Sequence, residues 1–461
     1  MKNTKKPSSV KPSQAVMLWG AILALTALRI TVATGGSINE NEALLAVCSS
    51  HPAGGYVEGP AGTPLFLTLL HLLGGTGLEA LRWISPLAAL ILSWALWRIA
   101  RHISPHRPGL AFWSVLGANL LPPLNMASLS MNGAILSAAL ILLSVVAGWH
   151  ASQSHGKATL ATWGLFGSTL AITTLFYQAA GLLLPAAIAF RFVNHGAKEF
   201  PWKGVVTSAL LLLLGWVPSI SWNARHDWIQ WSSVAAGFDA LPLGRFTFSQ
   251  GLLIAAISFL VPFLIRLAYT GMIWRLIVVL LAVVMAAVSS LILLCPSLIP
   301  SSLSSPLGVQ GLRDVAEATL TLRGARTAAS GEKPFLIAST PGLAALLGSK
   351  INVTYPERPG APSVFAVESP SLASSYALWP SYADAVAAGV KDPLYTEEKS
   401  VSPFLGHNAL YITTESKEEL PQTITGAFSA VGLLKEVPVT WNGRTVTIRI
   451  YQCENYRTLS L

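Results

Sequence analysis

The sequence predicts a polytopic α-helical membrane protein of about nine spans that ends in an α/β domain facing water. Three observations lead there. Hydrophobic residues make up 52% of the chain and charged residues only 11%, against about 25% charged in an ordinary soluble domain, so a bilayer must solvate much of it. The basic residues behind the net charge of +9 fall in short loops between apolar runs, all on one side when the spans are counted, which is the positive-inside pattern. From about Ser301 charges and turn residues return. No basic stripe interleaved with aromatics occurs, which argues against a nucleic-acid partner.

Residues 1–14 form a cytoplasmic N-terminus carrying Lys2, Lys5, Lys6 and Lys11. The membrane domain is expected over 15–298. Its first run, 15–33, is long and lacks a small-residue cleavage site, so it reads as an anchor rather than a signal peptide. The first outer loop, 34–82, contains Glu40, Glu42, Glu58 and Glu79. Further spans are expected at about 83–97, 110–129, 134–149, 159–175, 179–192, 205–221, 252–267 and 277–294. Arg98, Arg101, Lys157, Arg191, Lys203 and Arg275 then all fall inside. Nine crossings place the C-terminus outside, in a bacterial inner membrane. Several runs are shorter than the ~20 residues a span needs, so their ends are loosely fixed.

The domain over 299–461 shows helical spacing at 308–324 and 341–347, and strand patterns at 335–338, 351–355, 364–367 and 410–413. Near its end two β-rich runs, 437–440 and 445–451, flank Asn442-Gly443. That pair predicts a hairpin, because both turn positions need φ > 0. Cys48, Cys295 and Cys453 have no metal-ligand spacing and read as isolated thiols, with a Cys48–Cys453 bridge open if both meet an oxidising compartment.

The segment Pro218-Ser219-Ile220-Ser221-Trp222-Asn223-Ala224-Arg225-His226-Asp227-Trp228 resembles the Pro…Trp-Asn…His…Trp signature of bacterial family 39 glycosyltransferases, the membrane enzymes related to protein mannosyltransferases and to the aminoarabinose transferase of lipid A. Three other places are similar to that family in order and spacing. They are the stretch from Asn41-Glu42-Ala43-Leu44 through Tyr56-Val57-Glu58-Gly59-Pro60 to Leu81-Arg82-Trp83, the link Ser130-Met131-Asn132-Gly133, and Tyr376-Ala377-Leu378-Trp379-Pro380. The resemblance implies a GT-C fold and a sugar carried on a polyprenyl phosphate. It implies delivery, with inversion at the sugar carbon, to a lipid, glycan or protein acceptor outside the cytoplasm.

Three positions depart from the family's pattern. Its catalytic Asp is Asn41, its second-loop Asp is Asn132, and a Lys after the fifth span aligns with Phe176 beside Tyr177. An amide cannot accept a proton near neutral pH, so the base must come from a neighbouring acid. Glu42, with Glu58 and Asn41 beside it, is the candidate catalytic set. Arg82, Asn132, Tyr177, Trp222, Asn223, Arg225 and His226 are the candidate substrate-binding set, with Arg82, Arg225 and His226 suited to phosphate. With both loop positions neutral a divalent cation loses its anionic oxygen ligands, so no metal and no cofactor is expected, and the carrier-linked sugar is the donor substrate. The alternative from another class is a catalytically silent relative that binds lipid or scaffolds envelope glycan assembly. A coupled transporter is disfavoured, because the spans lack buried ionisable groups and inverted repeats.

Overall fold

In a computed structural model, the structure describes residues 12–74, 82–103, 108–131, 133–156, 158–196, 200–230, 271–294, 308–368, 374–383, 402–441 and 444–457. The chain divides into two units, one of residues 1–35, 53–55 and 59–299, the other of residues 36–52, 56–58 and 300–461.

The apolar runs of the first unit become helices because a bilayer leaves no other way to satisfy the backbone. In chain order they are α1 (Pro12–Gly35), α3 (Gly62–Leu72), α4 (Ile84–Ile103), α5 (Pro108–Asn119), α6 (Pro122–Leu129), α7 (Gly133–Gln153), α8 (Ala158–Phe176), α9 (Leu183–His195), α10 (Trp202–Arg225) and α11 (Met272–Leu294), while α2 (Glu40–Ser50) belongs to the second unit. Among the described residues five helices are long and apolar enough to cross a membrane: α1 from Ala15, α4, α7, α8 and α10. Four of the runs that looked short in the sequence, now α4, α7, α8 and α10, are full-length helices, extended at their ends by residues such as Arg101, Gly133, Ser152 and Arg225 that a hydropathy reading discounts.

The count of nine spans is not reproduced as nine long helices. The expected third span is two helices, α5 and α6, broken where Pro122 and Pro123 cannot continue the ladder of α5. The sixth is a 3-10 turn, Gln178–Leu182, leading into the 13-residue α9. The eighth lies outside the described residues. The first outer loop is also more structured than expected. It contains α2, a short β1–β2 ribbon (Gly55–Tyr56 and Gly59–Pro60) and the apolar α3, whose Leu69 and Leu72 are exposed.

Small residues set the packing. Ala88, Ala89, Leu92 and Ala95 of α4 meet Ala134, Ile135, Ala138 and Leu142 of α7 in one core. Between α8 and α10 glycines let the backbones approach. A Cβ on Gly215 would stand 2.5 Å from the Cα of Ala171, and one on Gly167 would stand 2.6 Å from the Cα of Ser208. Overpacking of this kind costs about 1–3 kcal/mol, so Gly215→Ala should lower the melting temperature of the detergent-solubilised protein measurably. Gly164→Ala, with nothing within 4 Å of the added Cβ, should not lower it.

The second unit is built on a six-stranded mixed sheet with strand order β3-β7-β8-β6-β4-β5. Its strands are β3 (Val309–Gln310), β4 (Phe335–Ala338), β5 (Phe365–Ala366), β6 (Ala409–Thr413), β7 (Phe428–Trp441) and β8 (Arg444–Tyr456), and its helices besides α2 are α12 (Leu312–Ser330), α13 (Pro341–Gly348) and the single turn α14 (Gln422–Thr425). The parallel pairs are β4 with β5 and β4 with β6. The expected hairpin is present as the antiparallel β7–β8 pair, closed by Trp441 opposite Arg444. Its turn residues, Asn442 and Gly443, lie outside the described residues.

One expected strand, 351–355, does not form. Ile351, Val353 and Tyr355 are buried in alternation, as a strand pattern requires. No neighbouring strand pairs with them, and the Tyr355 hydroxyl instead accepts from Leu336 N at 3.2 Å and donates to Ser363 O at 3.0 Å. Cys48 and Cys453 are buried free thiols rather than a bridge, and burial pushes Cys453 up to about 12.

Candidate functional site

The candidate residues of the membrane unit collect at one end of the helices. Arg82, just before α4, is buried and donates to Ala33 O at the end of α1 at 3.0 Å. It thereby caps a carbonyl that the helix itself leaves open. One turn on, Ser85 Oγ donates to Ser130 O at 2.8 Å, joining the start of α4 to the end of α6. Asn132 is outside the described residues. Next to it, Gly133 opens α7 so close to Thr63 that an added Cβ would lie 2.9 Å from Oγ1. Ser137 Oγ of α7 reaches Phe176 O at 3.2 Å, at the end of α8.

Tyr177 follows, buried, at the head of the 3-10 turn. Its neighbour Gln178 is the hub of a buried amide network. Gln178 Nε2 donates to Ser219 Oγ at 2.5 Å and to Gln230 Oε1 at 2.7 Å, and Asn223 Nδ2 donates to Gln230 Oε1 at 2.9 Å and to Ser219 O at 2.8 Å. Asn223 Oδ1 is buried and has no hydrogen-bond partner among the described residues. A buried acceptor of this kind is costly unless a donor meets it.

Trp222 and His226 stack, with ring centroids 4.2 Å apart. His226 Nδ1 lies 2.7 Å from Trp222 O. A carbonyl only accepts, so Nδ1 carries the proton and Nε2 is the nitrogen left for another partner. Arg225 is exposed at the end of α10, and the chain turns away through Asp227 and Trp228, both with positive φ. Gly54 and Gly55 are required here. An added Cβ would meet Pro218 O at 2.4 Å or the Trp222 indole at 2.9 Å.

The candidate acids belong to the second unit. Asn39 caps α2, its side chain accepting from Glu42 N at 2.9 Å, while Glu42 Oε2 accepts from Asn39 N at 3.0 Å. This is a capping box, with Glu42 buried at its third position. Asn41, beside it, is exposed. Glu58 accepts from Ser375 N at 2.8 Å and from Ser375 Oγ, and Ser375 Oγ in turn accepts from Val57 N at 3.0 Å. His51 is half-buried, stacked on Trp379 at 4.4 Å with Nε2 2.9 Å from Gly360 O. Among the described residues no group of three or more His, Cys, Asp and Glu is placed to hold a metal ion.

Sequence reasoning missed Gln178, Ser219, Gln230 and Ser375. The signal for the first three was a set of amide and hydroxyl groups within otherwise apolar stretches.

An apolar helical bundle with five helices long enough to cross a membrane, and a separate unit built on a mixed sheet, define a polytopic integral membrane protein with a C-terminal α/β domain. The family model described as dolichyl-phosphate-mannose-protein mannosyltransferase matches residues 58–222. The chain is also similar to the crystal structure of ArnT from Cupriavidus metallidurans in the apo state, at 13% identity and TM-score 0.50, over 94% of this chain and 98% of that one. The structure of the same protein bound to undecaprenyl phosphate gives 12% identity and TM-score 0.47, over 95% and 98%. At these identities the likeness is one of fold. No curated protein sequence matches the chain.

Proposed function

We propose that this protein is a glycosyltransferase that moves a sugar from a polyprenyl phosphate carrier to an acceptor hydroxyl of a cell-envelope lipid, glycan or protein, on the extracytoplasmic side of a bacterial inner membrane. The family match over residues 58–222 carries the reading, because that stretch holds Glu58, Arg82, Tyr177 and Trp222. ArnT, which shares the fold, has been crystallised with undecaprenyl phosphate.

In this reading Glu42 takes the proton of the attacking hydroxyl, the new glycosidic bond forms at the sugar's anomeric carbon, and the bond from that carbon to the phosphate oxygen breaks. The products are the glycoside and the prenyl phosphate. Arg82, Arg225 and His226 stabilise the leaving phosphate. Asn223 Oδ1, with Asn132 and Tyr177, accepts or donates to sugar hydroxyls, and Trp222 supplies an apolar face. Glu58, both of whose oxygens are engaged by Ser375, holds the loop that follows Gly55, and Asn41 contacts the sugar without acting as base.

The test is release of prenyl phosphate from carrier-linked sugars by membranes that overproduce the protein. Release above that of control membranes is expected, and equal release would overturn the reading. The chemistry proposed needs no divalent cation, so excess EDTA should leave the rate within about twofold. A loss of activity restored by added Mg²⁺ or Mn²⁺ would place a metal in the mechanism.

A further inference from the structure

At the opposite end of the membrane helices lies a second site with a different chemistry. A cavity of about 680 Å³ is lined by His155, Leu160, Arg191, Phe200, Trp202 and Lys203, among others, and, among the described residues, by no acidic side chain. The fold builds it. The ends of α7 and α9 and the starts of α8 and α10 come together here, because α8 and α10 run parallel, Trp163 beside Gly204 and Ala171 beside Gly215. Arg191 is buried and ties α9 to the end of α7, donating to Ser152 O at 2.8 Å and Ser154 O at 3.1 Å. The first turn of α10 also lines the cavity, with no side-chain cap on its N-H groups, and this adds to the positive potential.

The walls are half greasy. Phe200 and Trp202 pack at 4.5 Å. Leu160 of α8 and Trp202 and Val206 of α10 are each more than half exposed, and Leu210, Leu213 and Leu214 extend the same apolar character along α10. A soluble anion needs the cations alone. A cationic cavity at a helix end, opening onto an apolar helix surface, suits an amphiphile. The cavity is separate from the candidate sugar site, since the 24 residues of α10 stand between them, about 36 Å of helix.

We infer that this cavity binds the phosphate-ester head group of an anionic phospholipid, its acyl chains lying along the exposed faces of α8 and α10. By the positive-inside rule this is the cytoplasmic leaflet, where basic pockets between helices take such head groups.

The test uses the purified full-length protein in neutral detergent, with binding followed by its thermal shift during titration with cardiolipin, phosphatidylcholine or inorganic phosphate. Cardiolipin should raise the melting temperature saturably and the other two should not. Lys203→Ala should weaken the apparent cardiolipin affinity about fivefold, and Lys203→Glu more. Lys203 is exposed, so neither change should disturb the fold, and the melting temperature without lipid should stay at the wild-type value. Equal cardiolipin affinity in wild type and Lys203→Glu would overturn the inference. So would an equal shift with inorganic phosphate alone, which would make the cavity a site for a soluble anion.

Discussion

Glu42→Gln is expected to abolish sugar transfer without disturbing the fold. The two effects separate because of where Glu42 sits. It occupies the third position of the α2 capping box, and its carboxylate accepts from Asn39 N. Either Glu or Gln satisfies that position, so the amide keeps the helix start intact and removes only the ability to take a proton. Loss of a general base costs typically 10²–10⁴ in rate, and a fall of about that size with an unchanged melting temperature is the predicted result. Glu42→Ala should lose both, the cap contributing about 1 kcal/mol. A Glu42→Gln protein as active as wild type would remove Glu42 from the chemistry and leave it as a helix cap.

The second large effect is expected at Arg82. A guanidinium offers several donors in a fixed plane, and one of them caps Ala33 O. Lysine keeps the charge but not the fork. Arg82→Lys should lower kcat/KM for the carrier-linked sugar about tenfold, and the neutral Arg82→Gln about 100-fold, which is the size of one or two charge-assisted hydrogen bonds. Prenyl phosphate release at several donor concentrations checks this. If only the melting temperature falls and kcat/KM does not, Arg82 is a cap for α1 and nothing more.

Much of the fold was legible before any coordinates. Mean hydropathy and the placement of Arg and Lys located α1, α4, α7, α8 and α10, because a bilayer imposes one rule on every span. The β7–β8 hairpin was legible from Asn442-Gly443, since few other pairs accept that turn. What failed did so for physical reasons. The break between α5 and α6 came from two prolines inside an apolar run, where hydropathy is blind to the backbone. Residues 351–355 carried a strand's alternation, but alternation records burial and not a pairing partner. Tyr355 spends its hydroxyl on Leu336 and Ser363.

The candidate site was legible unevenly. Arg82 stood out because charge is rare in such a chain, at 11%, and the Trp222–His226 turn because its residues resemble a family signature. Gln178 and Gln230 did not, since a neutral amide declares its role only through the partner it meets, 52 residues away along the chain. The spacing Asn39-Glu40-Asn41-Glu42 did carry a second message, the capping box, which was readable from the sequence and bears directly on how Glu42 must be mutated.

The most direct measurement is photo-crosslinking of the purified protein with a prenyl phosphate that bears a diazirine next to the phosphate, followed by peptide mapping. The account predicts labelling of peptides containing Arg82 or residues 222–226, suppressed by excess unmodified prenyl phosphate. Labelling confined to the peptides of His155 and Lys203, or labelling that excess prenyl phosphate does not suppress, would contradict it.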